Sequence, residues 1–463
     1  MWQKYSTYLQ CLVWVVFGVG GLTMCRIREE VLSTDPGLRL AFSRDTVRFD
    51  TLFSDRRSLT RRLVVVNPNA NAVETSLKLA GGENSPYSLV VNGTAARSVD
   101  RLRILGGDSV LVLVTVRPVA NNQELPFVLR DSVEFFTNGS RQNVKLLAWG
   151  RDAIYLGRQS LRGQVVWQST RPYVILDTLL VEANSSLTIG PGVQVYLEPG
   201  ASLFVRGSLQ VQGTVQKPVS FGGTRLDAAF RNVPGQWGAI FFLEGSQNNR
   251  LSNARLRNGT IGLRVGTPDN DTIYDVVVEN TIIENMRSAG LAAFTSDVSL
   301  VNTQINNCIE HLVYCVGGGH YQFRHCTLAN AQVRFLRQGP SVVLANVLPL
   351  PNNEFLRASL SGRWENCLLW GDQADEIGFI NDGRTPFIFL LRNSLLRTTN
   401  QNLATNRNVL NVDPRFVRPT ELNFQLDSLS PAVNLGAPLG ISTDLRGRPR
   451  TNRPDAGAYE RRD

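Results

Sequence analysis

Six segments between Asn249 and Leu396 carry one arrangement: a residue, an apolar residue two on, an Asn or His two further, then Ile or Leu three later. The copies are Asn249-Leu251-Asn253-Leu256, Val276-Val278-Asn280-Ile283, Val298-Leu300-Asn302-Ile305, Tyr321-Phe323-His325-Leu328, Gly362-Trp364-Asn366-Leu369 and Phe389-Leu391-Asn393-Leu396. Residues two apart lie on one face of a strand, and an Asn closing such a run marks a turn. From each Asn or His to the next the spacings are 27, 22, 23, 41 and 27 residues. Short strands returning about every 25 residues, with no helical run between them, specify a solenoid. Few other architectures accommodate that beat.

The solenoid predicted is a right-handed parallel β-helix. Its strands stack ~4.8 Å from those of the next coil, and about nine coils from Leu180 to Leu396 would rise on the order of 40 Å. Val276 and Val278, or Tyr321 and Phe323, then point into the core. Asn253, Asn280, Asn302, His325, Asn366 and Asn393 form a column at one turn, predicted to exchange side-chain hydrogen bonds up and down the stack. Such bonds would satisfy turn groups otherwise buried unpaired. Upstream, Leu187-Thr188-Ile189-Gly190-Pro191-Gly192-Val193 and the apolar residues that follow keep the alternation without the Asn. Gly190, Gly192, Gly200, Gly207 and Gly213 punctuate it at turns.

A chain of 463 residues exceeds one compact core. Residues 38–152 read as an immunoglobulin-like β-sandwich. Their strand-like runs are Val47–Phe53, Leu63–Val66, Ser76–Leu79, Ser88–Val91, Val110–Val116, Ser132–Phe136 and Val144–Trp149, with turns at Asn67-Pro68-Asn69, Gly81-Gly82, Asn92-Gly93 and Asn138-Gly139. The β-helix is assigned to 153–410 and a C-terminal capping segment to 411–463, in which Phe416, Phe424, Leu426 and Tyr459 cover the final coil while the arginines face water. A solenoid end needs such cover because its strand edges are unpaired.

At the N-terminus, Lys4 precedes an apolar run from Leu9 to Met24 that ends at Cys25. The run is short for a membrane span and suits a signal peptide over 1–25, followed by a tether over 26–37. Net charge is +9, with 48 basic and 39 acidic residues, and only Lys4, Lys78, Lys145 and Lys217 are lysines. An Arg-rich surface attracts anionic polymers. The densest cluster, Arg446, Arg448, Arg450, Arg453, Arg461 and Arg462, has no interleaved aromatic platform, which argues against nucleic acid. Cys308, Cys315, Cys326 and Cys367 are either small buried hydrophobes or, for Cys326 and Cys367 one after each ladder residue, a disulfide pair.

Leu22-Thr23-Met24-Cys25 resembles a bacterial lipobox, which implies lipid attachment at Cys25 and anchoring to a membrane. Glu29-Glu30 resemble an acidic tether of surface-exported lipoproteins. Phe49-Asp50-Thr51-Leu52-Phe53 with Asn67-Pro68-Asn69, then Arg171-Pro172-Tyr173-Val174-Ile175 and Pro234-Gly235-Gln236-Trp237-Gly238, are similar to Bacteroidetes lipoproteins with right-handed β-helix repeats. Asp413-Pro414-Arg415-Phe416, Ser430-Pro431-Ala432-Val433-Asn434, Thr443-Asp444-Leu445-Arg446-Gly447 and Asp455-Ala456-Gly457-Ala458-Tyr459-Glu460 resemble the ending of bacterial surface β-helix proteins of the choice-of-anchor type. Arg446 and Ala456 depart from that ending's usual Asp and Ile. The resemblance implies an exported protein of the outer membrane or cell surface, and implies no reaction.

Enzymes built on such a β-helix often act on acidic polysaccharides through Asp and Arg along one sheet, sometimes with Ca²⁺. Asp269 and Asp271 offer oxygen ligands to a hard cation. Trp370 with Asp372, Asp375 and Glu376 is a combination suited to a sugar, or else a set of exposed loop acids. The insertion from Ala331 to Ser361 is long enough to overhang a groove. His311, His320 and His325 near Cys315 and Cys326 are ligand types, but His325 sits at a ladder position, so no metal site and no resident cofactor are expected. No catalytic set assembles from the sequence. The expectation is a non-catalytic rod for surface display, glycan contact or binding another envelope protein, with a polysaccharide lyase or glycoside hydrolase as the alternative.

Overall fold

A computed structural model describes residues 31–266, 273–330 and 337–461. The expected signal peptide, Cys25, Asp269, Asp271 and Arg462 lie outside the described residues. Among the described residues only short 3₁₀ turns interrupt the strands, and no helix is long and apolar enough to cross a membrane. The chain divides into two compact units, residues 1–120 with 127–150, and residues 121–126 with 151–463.

The first unit is an antiparallel β-sandwich of two five-stranded sheets. One contains Arg61–Val66, Ser109–Val116 and Tyr87–Val91; the other contains Thr46–Phe53, Ser140–Arg151, Phe127–Thr137, Val73–Leu79 and Ser98–Ile104. Alternate residues such as Leu63, Val65, Val112, Val114, Val133 and Phe135 fill the core. Asn92-Gly93 and Asn138-Gly139 have φ of 49° and 81°, and of 46° and 80°, and close two-residue hairpins. Positive φ at both central residues is the type I′ geometry that Asn-Gly favours. The strand Ser98–Ile104 was not legible, because exposed Asp100 and Arg103 hide its alternation.

The second unit is a parallel β-helix. Each coil contributes one strand in turn to three sheets, which among the described residues hold eleven, nine and nine strands. We call these sheets 1, 2 and 3; the first coil supplies Ile154–Leu156, Gln159–Leu161 and Gln164–Trp167, and the ninth Leu368–Trp370, Ile377–Ile380 and Phe387–Arg392. Leu395–Leu396 and Val409–Leu410 extend sheet 1 beyond the ninth coil. Parallel crossovers of this kind are right-handed for steric reasons. The closing apolar residues of the six repeats, Leu256, Ile283, Ile305, Leu328, Leu369 and Leu396, stand in register in sheet 1 and are fully buried. Val276, Val278, Tyr321 and Phe323 of sheet 3 are equally buried.

The ladder residues sit at the turn from sheet 3 to sheet 1. All six, from Asn253 to Asn393, have φ between 46° and 58°, the left-handed conformation that Asn tolerates best among non-glycine residues. Each donates its backbone N–H across to the next turn, as Asn280 N does to Val301 O at 3.0 Å and His325 N to Glu365 O at 3.0 Å. The stacking is therefore carried by backbone. Side chains link neighbours at only two steps, Asn302 Nδ2 to Asn280 Oδ1 at 3.1 Å and Asn366 Nδ2 to His325 Nε2 at 2.8 Å. The amides of Asn302, Asn366 and Asn393 also reach outward to partners the sequence did not suggest.

Those partners belong largely to the C-terminal segment, which differs from the expected end cap. It runs back along the outside of sheet 1 as a strap. Asn393 Nδ2 donates to Leu435 O at 3.0 Å, Asn366 Nδ2 to Ala437 O at 2.8 Å, and Asn302 Nδ2 to Thr443 O at 2.8 Å, so the strap descends coil by coil. Phe424, Leu426 and Tyr459 bury against Ala329, Leu368, Leu395 and Ile282 on the sheet's outer face. Tyr459 OH donates to Gln304 Oε1 at 2.5 Å. Arg450 corrects the expectation of solvent-facing arginines: 2% exposed, it pairs with Glu460 at 3.1 Å and donates to Asn302 Oδ1 at 2.8 Å. The conspicuous ending is thus stitching. Asp444 accepts from the backbone N–H of Arg446, Arg448 and Glu460, and Asp455 from those of Asn434 and Arg461.

Candidate functional site

The acidic cluster marked in the sequence has its partners already. Glu376 immediately precedes the ninth strand of sheet 2, and its side chain is fully buried against Arg337, itself 2% exposed. Arg337 Nη1 donates to Glu376 Oε2 at 2.7 Å and Nη2 to Oε1 at 2.6 Å, a bidentate fork. Ser341 donates both its hydroxyl and its backbone N–H to Glu376, and Gln373 N donates at 2.9 Å. A Cβ on Gly371 would fall 2.0 Å from Glu376 Oε1, so only glycine leaves room for this carboxylate. Asp372 takes the second side of Arg337 Nη2 at 2.6 Å. Asp375 accepts from the Thr399 hydroxyl and N–H and from the Thr398 hydroxyl, which hold it below the usual carboxylate range. Trp370 is half-buried beside the strap, with the Arg397 guanidinium 4.8 Å from its ring centroid. Glu376 and Asp372 thus clamp Arg337, Asp372 remaining exposed, while Asp375 is tied to Thr398 and Thr399 and Trp370 to Arg397.

The three histidines separate. His325 lies in the ladder, His311 stacks on Tyr314 at 4.9 Å, and His320 faces outward on sheet 3. Among the described residues no three His, Cys, Asp or Glu converge as metal ligands. Cys308, Cys315, Cys326 and Cys367 are free thiols, all fully buried. Burial pushes the Cys308 thiol up to about 12, and Cys367 also well above its ordinary value.

His320 is the centre of an arrangement that sequence reading missed. Its Nδ1 is hydrogen-bonded to Ser361 Oγ at 2.7 Å, its Nε2 to Tyr274 OH at 3.3 Å, and its ring stacks on Tyr274 at 5.6 Å. Asp297 Oδ1 accepts the His320 N–H at 2.8 Å and fixes the strand beneath. His320 and Ser361 are register neighbours, although 41 residues apart. The insertion between Ala331 and Ser361 makes this pairing possible by adding a hairpin, Val347–Pro349 with Phe355–Arg357, without breaking the stack. Where its backbone passes closest, a Cβ on Gly318 would lie 2.6 Å from Ala358 Cβ. Burial, and then the Arg363 charge, lower the His320 pKa, so the imidazole is neutral near pH 7. Burial raises Tyr274, against a smaller opposing pull from Arg324.

The charge around this pair follows from register. Arg324 stands beside Glu365 in sheet 3, but Glu365 is taken by Arg392 from the next coil. Arg363, two residues beyond Ser361 on the same outward face, is exposed and has no carboxylate partner among the described residues. Two guanidinium groups therefore flank a neutral His and a Tyr hydroxyl on an open sheet face. The arrangement can bind an anion, and a His–Tyr pair can also relay a proton.

No family model and no curated protein match the chain. Among solved structures, the PapD-like domain 7 of human CEP192 is similar at 12% identity over 28% of this chain and 95% of that one, with a TM-score of 0.18. Pectate lyase Pel9A is similar at 10% identity over 68% of this chain and 88% of that one, with a TM-score of 0.30. The catalytic unit of a GH87 α-1,3-glucanase from Streptomyces thermodiastaticus is similar at 14% identity over 72% and 78%, with a TM-score of 0.20. Several further neighbours are matched over only 26% to 60% of their own length. Likenesses this distant carry no argument about activity.

Proposed function

We propose that this is an exported, lipid-anchored envelope protein whose β-helix binds an acidic polysaccharide on the outer face of sheet 3. The observation that carries the reading is the pair of arginines beside Tyr274 and His320, Arg324 and Arg363, neither of which has an ion-pair partner among the described residues. A polyanion with regularly spaced charges suits a face whose side chains repeat every ~4.8 Å, and charge-assisted bonds to arginine favour carboxylate or sulfate groups. Binding without turnover is the main reading, because the acids at this face are engaged: Asp297 by the His320 N–H, Glu279 by Arg250, Glu365 by Arg392.

A second reading rests on the His320–Tyr274 hydrogen bond. With Arg363 neutralising a uronate carboxylate, neutral His320 would take the proton beside it and Tyr274 would protonate the departing sugar oxygen. This is β-elimination, with the proton returned between the two side chains. One experiment separates the readings. The purified protein is offered polygalacturonate, alginate and hyaluronan beside neutral glycans, and scored for retention and for unsaturated products absorbing in the ultraviolet. Retention of acidic chains alone, lost in R324A/R363A, supports binding; unsaturated products lost in H320A support the lyase; neither outcome sinks both.

The anchor has its own test. Cys25→Ala is expected to move the protein from the membrane fraction to the soluble fraction of cells, while a variant that stays membrane-bound refutes attachment at Cys25.

A further inference from the structure

A second place on the β-helix gathers arginines around open space. The chain leaves sheet 1 after the strand Val219–Gly223 and crosses to sheet 2 at Ile240–Phe242 through a long loop that folds back over sheet 1. Gln236 Nε2 donates to Phe230 O at 2.6 Å and Val233 O at 2.8 Å, and Asn258 Nδ2 to Arg231 O at 2.9 Å, so the loop is held from within and from the sheet. Between loop and sheet lies a cleft of about 130 Å³ lined by Tyr196, Arg225, Arg231 and Arg257 over a floor of Gly222 and Gly223. That is room for roughly four waters at their liquid volume. Gly223 leaves room for Gln236, since a Cβ there would come 2.5 Å from Gln236 Oε1 and 2.7 Å from Gln236 Cβ.

The charge of the cleft follows from register, as on sheet 3. Arg257 stands beside Glu284, but Arg255 holds both oxygens of Glu284, at 2.8 Å from Nε and 3.0 Å from Nη2. Arg257 and Arg231 are exposed, and neither has an ion-pair partner among the described residues. Arg225 is fixed in place: Asp227 Oδ2 accepts from its Nε at 3.2 Å, and its guanidinium lies 3.6 Å over the Phe230 ring. Two free guanidinium groups and a preset third, beside a tyrosine, describe a receptor for an oxyanion carried on a ring.

We propose that this cleft is a separate binding site for one acidic sugar, with its carboxylate or sulfate on Arg231 and Arg257 and its ring against Tyr196. The oxyanion site stands on its own geometry; only the choice of a sugar as carrier rests on the function proposed above. Calorimetric titration of the full-length protein tests it with galacturonic acid, galactose 6-sulfate, galactose and inorganic sulfate as probes. Saturable binding of either acidic sugar, no binding of galactose, and a loss of about tenfold or more in R231A/R257A are expected, since each charge-assisted bond carries about that much. The carboxylate and sulfate arms identify which oxyanion the cleft prefers. R324A/R363A, on the other sheet, should bind as wild type does, so failure there and failure here are distinguishable. The proposal is overturned if neither acidic sugar saturates, if R231A/R257A binds them unchanged, or if inorganic sulfate binds as tightly as the sugars. Unaltered thermal unfolding of the double variant guards against misfolding, and R231K/R257K, which keeps the charge, should recover part of the affinity.

Discussion

Replacing Glu376 by alanine is expected to destabilise the β-helix by about 3–5 kcal/mol, the cost of leaving a buried charge without its partner. Arg337 is only 2% exposed on its side chain, and without Glu376 its fork keeps only partly exposed Asp372 and a backbone carbonyl. The effect belongs to the broken pair and not to the pair's net worth. R337M/E376M, which removes both charges and keeps apolar volume, should therefore recover most of the loss. Denaturant unfolding followed by intrinsic fluorescence measures both variants. A single E376A variant as stable as wild type, or a double variant no better than the single, would show that the clamp does not hold the eighth and ninth coils together.

The second large effect is a dependence on acid. Burial, and then the Arg450 charge, push the His325 pKa down to about 3. In the unfolded chain its pKa is near 6.5. Below pH 6.5 the unfolded chain takes up a proton that the folded chain refuses, so stability present above that pH is lost as pH falls toward 3. At pH 5 the loss is about 2 kcal/mol, from roughly 1.5 pKa units at 1.36 kcal/mol each. His325→Asn should remove it, because the other five ladder positions already hold Asn at the same left-handed φ. The readout is unfolding free energy at pH 7 and pH 5 in wild type and H325N. Equal slopes in the two proteins would refute the assignment of the acid sensitivity to His325.

Both predictions concern residues whose types were visible in the sequence and whose surroundings were not. His325 was legible as a ladder residue, since it occupies the place of Asn in a repeat. Its isolation from water was not, because the strap that covers it is docked from more than a hundred residues away. Glu376 looked like one of several loop acids. Whether it was solvated depended on Arg337, 39 residues away within an insertion, and no local pattern connects the two. Ser361 and His320 were separated by the same insertion, so their hydrogen bond followed from coil stacking and from nothing in their neighbourhoods.

By itself the sequence determined the strands, their inward faces and the turn column. Those features are local: side chains alternate every two residues, and Asn enters the left-handed region at small cost. It also determined that the chain holds a sandwich and a β-helix, because turn spacing and repeat length are properties of short segments. Tertiary structure alone decided which charges are left over. Arg257, Arg324 and Arg363 are free because, in register, Glu284 and Glu365 go to Arg255 and Arg392. Register between coils depends on every loop length before it, so a pairing between coils cannot be read from either strand. The strap's course was decided in the same way: its Asp and Gly motifs fixed its turns, while the open amides of Asn302, Asn366 and Asn393 fixed where it lies.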